Sequence, residues 1–378
     1  MNGADFLIVG GGVAGLSAGA ALARHGKVVV LEAEEALGYH SSGRSATFSH
    51  YGIGSVPVRA LTAWSRSFFE QPPEGFADVP LARRASALFF ATEEMLGTLD
   101  TLEAEMARFT DSLDRIGEAE MKAHFPPLLT GEGAAVSACL YRDGLRLDSD
   151  ALLQGYKRAI RTAGGEVLTG RRISAVRREY GAWSIDAAGE SWSAPILVNA
   201  AGAWADGIAA MAAVEPLGLR SLRRTIIVVD APDGADVRDW PFVKSVVDDF
   251  YILPESGRLM ASPVDEVECQ ACDAQPEDYD LALAAWKVEQ YTTLPVARIA
   301  HRWAGLRSFT ADRVPAAGFA ADAPGFFWLA GQGGYGLQTA PAMAAIAETL
   351  VLGGEWPAGL AELGAGRSEI AVERLANG

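Results

Sequence analysis

The chain has 378 residues, 49% of them hydrophobic, enough to build two domains around sizeable cores. Its net charge of −16 excludes nucleic acid and anionic membrane as expected partners. No apolar stretch reaches transmembrane length, the first apolar segment lacks a basic leader, and three cysteines suit a reducing compartment, so a cytoplasmic protein is expected.

Asp5–Val9 is an apolar run of strand length. Gly10, Gly12 and Gly15 then fit G-x-G-x-x-G, Leu16–His25 reads as a helix, Lys27–Leu31 as a second strand, and Glu32 closes that strand. In such a unit the first glycine allows a tight turn and the second lets backbone approach a pyrophosphate. The third lets helix pack on strand. The helix N-terminus offers unpaired N–H groups and a partial positive charge, and Glu32 can accept hydrogen bonds from a ribose diol. The glycines alone are a weak signal. Strand, helix, second strand and acid in the right order make this a dinucleotide site.

Gly38–Ala46 is dense in small and hydroxyl residues with one arginine, suited to wrapping a pyrophosphate. An amphipathic helix is expected over 58–70, closed by Pro72-Pro73, and further helices over 93–108 and 113–124, the latter ended by Pro126-Pro127. Leu147–Ala163 reads as a helix with Asp148 or Ser149 as N-cap, followed by strands at 166–169, 172–178 and 182–187. Ile196–Asn199 is a buried strand that enters a small-residue turn, Ala200–Trp204. Arg223–Val229 begins a β-rich stretch that runs through Phe250–Leu253 and Leu259–Ala261 to a helix over 276–291.

Phe326–Ala330, Gly331–Gly336 and Leu337–Leu350 repeat strand, glycine turn and helix, so the tail returns to the first domain. The expected fold class is α/β (α+β): a Rossmann-type nucleotide domain (1–82, 146–215 and 300–378) interleaved with a substrate domain on a mixed β-sheet (83–145 and 216–299). Cys269 and Cys272 lack the second ligand pair of a zinc site and the setting of a thioredoxin motif, so no metal is expected.

Gly38–Ala46, Val198–Trp204, Trp303–Phe309 and Gln332–Gly336 together resemble the FAD-dependent amine and D-amino acid oxidoreductases (the DAO family). This group holds D-amino acid oxidase and sarcosine oxidase. The resemblance covers essentially the whole chain and is greatest to the bacterial D-arginine dehydrogenases. It implies FAD held along Gly10, Gly12, Ala14, Gly15, Glu32, Ala33, Ser41, Ser42, Arg44, Ser45 and Ala46. Backbone near Ile173, then Ala201, Gly202 and Trp204, and finally Gly333, Gly334, Tyr335, Gly336, Leu337 and Gln338 complete the implied set. A helix N-terminus at 334–339 would stabilise the negative charge of reduced flavin. Some relatives tether FAD through a cysteine in the tail. None lies beyond Cys272, so FAD is expected to be non-covalent.

The same resemblance implies that Arg224, Tyr251 and Arg307 hold a substrate carboxylate, with Gly334 and Gln338 near the amine and the flavin edge. A guanidinium pairs a carboxylate bidentately, and a fixed carboxylate aims Cα–H at flavin N5. Hydride transfer from a neutral amine gives an imino acid, which water converts to a 2-oxo acid and ammonia. The rate should rise with pH to a plateau.

Three departures bear on specificity. The D-arginine dehydrogenases carry His, Tyr and Glu where this chain has Phe48, Ile53 and Ala87. A buried cationic side chain without its carboxylate is costly. The expectation is poor use of D-Arg and D-Lys and an apolar pocket of Phe48, Ile53, Ala87 and Leu88, with His50 and Tyr51 in the same segment. Some oxidases place a lysine near N5; none falls between Tyr251 and Trp286 here, which points to a dehydrogenase using a quinone or another acceptor. The alternatives are oxidation of a secondary or cyclic amine or of a 2-hydroxy acid, and a non-catalytic flavin-binding protein.

Overall fold

Two sheets organise the chain in the computed structural model, which describes residues 2–377. The first has six strands in the order Glu166–Leu168, Val28–Leu31, Phe6–Val9, Ile196–Asn199, Phe326–Ala330, Ala316–Phe319. The first five run parallel and the last pairs antiparallel. Its strands are continuous apolar runs because both faces are covered. Phe6, Ile8, Val28, Val30, Phe327 and Leu329 pack among helices Val13–Leu22, Ser149–Thr162 and Gly336–Leu352. Leu7, Val9, Val29, Phe326 and Trp328 meet Trp183, Ile185 and Trp192 of an antiparallel sheet over 173–194.

The second sheet has nine strands and alternates with period 2. Leu88, Phe90, Val243, Ile252 and Ile227 face one way, beneath helix Asp278–Tyr291. Ala87, Phe89, Phe242, Tyr251 and Ile226 face the other. Arg224, which lines the cleft, lies on this second face.

Three expectations are corrected. Residues 113–117 are a strand, Leu113–Gly117, and only Glu118–His124 is helical. Leu113–Gly117 lies along Ser137–Tyr141 at the sheet edge, where pairing outweighs local helix preference. Residues 301–309, assigned from sequence to the nucleotide domain, form strand His301–Phe309 and pair along Arg220–Val228 in the substrate sheet. The first helix starts at Val13 rather than Leu16, so the last glycine of the motif lies inside its first turn.

Candidate active site

The cleft begins at the glycine turn. Gly10 has φ +113°, and a Cβ there would stand 2.4 Å from the Ala200 carbonyl oxygen, so only glycine fits. A Cβ at Gly15 would stand 2.0 Å from the Gly10 carbonyl oxygen, which lets the helix sit close on the strand. Helices Val13–Leu22 and Gly336–Leu352 pack together, and the N-terminal end of each borders the cleft.

Loops tie the walls in place. Glu32 accepts from the N–H groups of Gly11 (2.6 Å) and Glu34 (2.8 Å), which fixes its carboxylate at the strand end. Ser42 Oγ accepts from Val13 N–H (3.0 Å), and Ser41 Oγ donates to the Leu306 carbonyl (2.5 Å). Asn199 donates to the Ala205 carbonyl (2.8 Å), holding the Ala200–Trp204 turn against the cleft.

All the cofactor positions expected from sequence line this cleft except Gly15, Ala46, Tyr335 and Gln338. Tyr335 turns its hydroxyl away to the Arg313 carbonyl. The Arg44 guanidinium is consumed by the carbonyls of Ala274 (3.1 Å) and Ala304 (3.0 Å) and by Asp273 (2.5 Å). It holds the loop to the substrate sheet while its stem lines the cleft. The sequence reading missed His40, whose ring lies 4.5 Å from Trp204, and Gln332, whose buried Nε2 has no protein partner. These residues fit a dinucleotide: two helix N-termini for phosphates, an anchored acid for a ribose, and an extended groove between them.

Strand alternation decides which of these side chains face the cleft. Arg223 turns toward helix Asp278–Tyr291 and pairs with Asp280 at 2.8 Å. Arg224 turns the other way and lines the cleft with Arg307. It donates to the Asp265 carbonyl (2.8 Å) and to Glu266 (3.0 Å). Arg307 lies against Gly334, and no protein acceptor meets its guanidinium among the described residues. Burial, followed by the charge of Arg224, lowers its pKa to about 10. The hydroxyl of Tyr251 is buried with no protein partner. A cation without a protein acceptor beside a free phenol donor has the composition of an anion site.

The remaining expected residues divide. Phe48 stacks on Phe242 (4.9 Å), and Phe242 stacks on Tyr251 (5.4 Å) opposite Ala87 in register. Ile53 packs instead with Val58, Leu222, Phe309 and Tyr335. Leu88 faces the opposite side of the sheet, as alternation from Ala87 requires, and so leaves the expected pocket. The Gln338 amide donates to Thr62 Oγ1 (2.8 Å) and accepts from His50 N–H (3.2 Å), so it braces the His50 segment.

His50 is buried between Phe89 (5.4 Å) and Phe242 (5.2 Å). Gly52 N–H donates to its Nδ1 (3.0 Å), which leaves the ring proton on Nε2. Burial, then the charge of Lys244, lowers its pKa to about 3, so the ring is neutral and acts as a donor. Lys244 is the departure from the expected apolar wall. It is buried on the site face, opposite Tyr251 and Phe89 in register. Its position falls just before the lysine-free stretch from Tyr251 to Trp286. Asp248, on the turn after it, is held below the usual carboxylate range. Burial pushes it up, but Lys244, Arg224 and Arg307 prevail.

Fold and cleft define a dinucleotide-dependent oxidoreductase. The chain belongs to the FAD dependent oxidoreductase (DAO) family, whose profile matches residues 5–350. The L-2-hydroxyglutarate dehydrogenase of Indibacter alkaliphilus is 24% identical over 222 residues, 57% of this chain and 54% of that protein. The match thus spans about half the length of that relative. Among solved structures, glycine oxidase from Geobacillus kaustophilus superposes with TM-score 0.82 at 21% identity, over 97% of this chain and 99% of that one. L-alpha-glycerophosphate oxidase from Mycoplasma pneumoniae, with FAD bound, gives TM-score 0.83 at 19% identity, over 93% and 95%. The cofactor is FAD, held non-covalently: no cysteine lines the cleft among the described residues. These relatives are named for different donors, so membership gives the cofactor and leaves the donor to the site. No described helix is long and apolar enough to cross a membrane, and no described group of side chains forms a metal site.

Proposed function

We propose that this chain oxidises a D-2-amino acid at its α-carbon, as a dehydrogenase related to the D-arginine dehydrogenases but without their cation-binding side chains. FAD supplies the acceptor for the hydride and its electron pair. Arg307, backed by Arg224 and joined by the Tyr251 hydroxyl, binds the α-carboxylate and fixes Cα. The amine gives up its proton, and water hydrolyses the imino acid to a 2-oxo acid and ammonia.

The observation that carries this reading is the cleft-lining Arg307 guanidinium, without a protein acceptor among the described residues, beside the unpartnered Tyr251 hydroxyl. An amine suits the site because it can enter neutral and needs no protein base. His50, neutral with its proton on Nε2, does not supply one. The second reading is a 2-hydroxy acid or a secondary amine, the former favoured by the likeness to L-2-hydroxyglutarate dehydrogenase. The strand Arg258–Ser262 carries no lysine, which supports a quinone or another carrier over oxygen as acceptor. Three free cysteines support a cytoplasmic setting.

Anaerobic reduction of the flavin by a panel of D- and L-amino acids, sarcosine, proline and 2-hydroxy acids tests this. Reduction by D-amino acids is expected, with little response to D-Arg. Reduction only by secondary amines or hydroxy acids moves the donor to the second reading. No reduction by any of them removes the catalytic reading.

A further inference from the structure

We propose that the substrate carries a second carboxylate, at the end of its side chain, and that Lys244 with His50 beside it binds that group. The inference rests on the carboxylate clamp at Arg307 and says what the other end of the same molecule meets.

Lys244 occupies an expensive position. Its side chain is 6% exposed, on a sheet face otherwise built from Phe89, Phe242 and Tyr251. Burying an ammonium there costs several kcal/mol unless it is paired and hydrogen-bonded. Protein meets part of that need. Nζ donates to the Gly52 carbonyl (3.2 Å) and pairs with Asp248 (2.9 Å), whose side chain is 49% exposed. An ammonium has three donors, and the third has no protein acceptor among the described residues.

Gly52 couples Lys244 to His50. Its carbonyl receives Lys244 while its N–H engages His50 Nδ1. His50 Nε2–H therefore has a fixed orientation and no protein acceptor among the described residues. Both side chains offer donors only. The nearby carboxylate, Asp248, is already shared electrostatically among Lys244, Arg224 and Arg307.

This donor set sorts side chains. A cationic group would meet Lys244 at short range. An apolar group would leave two desolvated donors unpaired, at about 1–3 kcal/mol each. A carboxylate accepts from both. Lys244 and Tyr251 are directly opposite on neighbouring strands, which sets their Cβ atoms about 5 Å apart. One carboxylate at Tyr251 and Arg307 and another at Lys244 therefore describe a short diacid.

The test is anaerobic flavin reduction by wild-type holoenzyme with D-aspartate, D-glutamate and 2-hydroxyglutarate, against D-leucine and D-glutamine. At least one diacid is expected to exceed D-leucine and D-glutamine tenfold or more in kcat/KM. K244M should erase that advantage, chiefly by raising KM for the diacid. Wild-type holoenzyme should also bind glutarate at least tenfold more tightly than butyrate, read from the flavin spectrum without turnover. If K244M does not fold, these wild-type comparisons decide. D-leucine or D-glutamine matching every diacid, or butyrate matching glutarate, overturns the assignment of Lys244 and leaves the clamp reading intact. No reduction by any of these acids removes both.

Discussion

Arg307 Nη1 lies so close to Gly334 that a Cβ at position 334 would stand 2.7 Å from it. The contact joins the substrate sheet to the glycine turn of the nucleotide domain, and it places a cleft-lining cation at the boundary between the two.

G334A should therefore act through Arg307. The methyl displaces the end of a flexible side chain, not backbone, so the protein should fold with its FAD. The clamp should lose about 1.5–3 kcal/mol, a ten- to hundredfold fall in kcat/KM. Steady-state kinetics together with flavin content check this; wild-type kinetics in G334A would mean that the contact does not govern substrate binding.

R307M should separate stability from activity. The guanidinium lines the cleft, partly buried, beside Arg224 and without a hydrogen-bonded protein anion of its own among the described residues. An apolar replacement of similar length removes the like-charge repulsion with Arg224 and should leave the fold at least as stable. It should also lower kcat/KM a hundredfold or more, equivalent to about 3 kcal/mol or more of lost anion binding. Thermal melts and flavin reduction measure the two effects, and a destabilised R307M would show that Arg307 is a structural cation.

His50 should make the protein acid-sensitive. In the folded state its pKa is lowered to about 3, whereas the unfolded chain titrates near the ordinary value of 6.5. Between these values the unfolded state holds a proton that the folded state does not. Stability therefore falls as pH drops from 6.5 toward 3, by up to about 1.4 kcal/mol per pH unit from this residue. H50Q should flatten that slope by one proton. Urea unfolding of both proteins at a series of pH values reads the difference, and equal slopes would place the acid sensitivity elsewhere.

E32A should weaken FAD retention. Glu32 anchors the N–H groups of Gly11 and Glu34 as well as facing the cleft. Its loss should cost about 1.5–3 kcal/mol, a ten- to hundredfold rise in the FAD dissociation constant. Denaturing the wild type should release all yellow colour into the supernatant. Colour retained in the precipitate would mean a covalent tether.

The nucleotide half was legible in the sequence because its signals are local. Gly10, Gly12 and Gly15 lie within six residues, and Glu32 follows on the next strand. The substrate half was less legible. Leu113–Gly117 takes its strand form from pairing with Ser137–Tyr141, and His301–Phe309 finds its sheet through Arg220–Val229, 80 or so positions away in register. Leu88 was misplaced because neighbours on a strand face opposite ways, and only the pairing says which way is inward.

By itself, then, the sequence determined a dinucleotide fold and its acid, since these follow from short-range spacing and chemistry; the proposed carboxylate clamp came only from the family resemblance. Tertiary structure decided that Arg224 rather than Arg223 faces the cleft, and that Gln338 is consumed by Thr62 and His50. It also decided that Lys244 stands among aromatic rings on the site face. Each of these depends on side-chain direction and on desolvation by distant segments, and burial gives a charge its meaning only once the chain has closed around it.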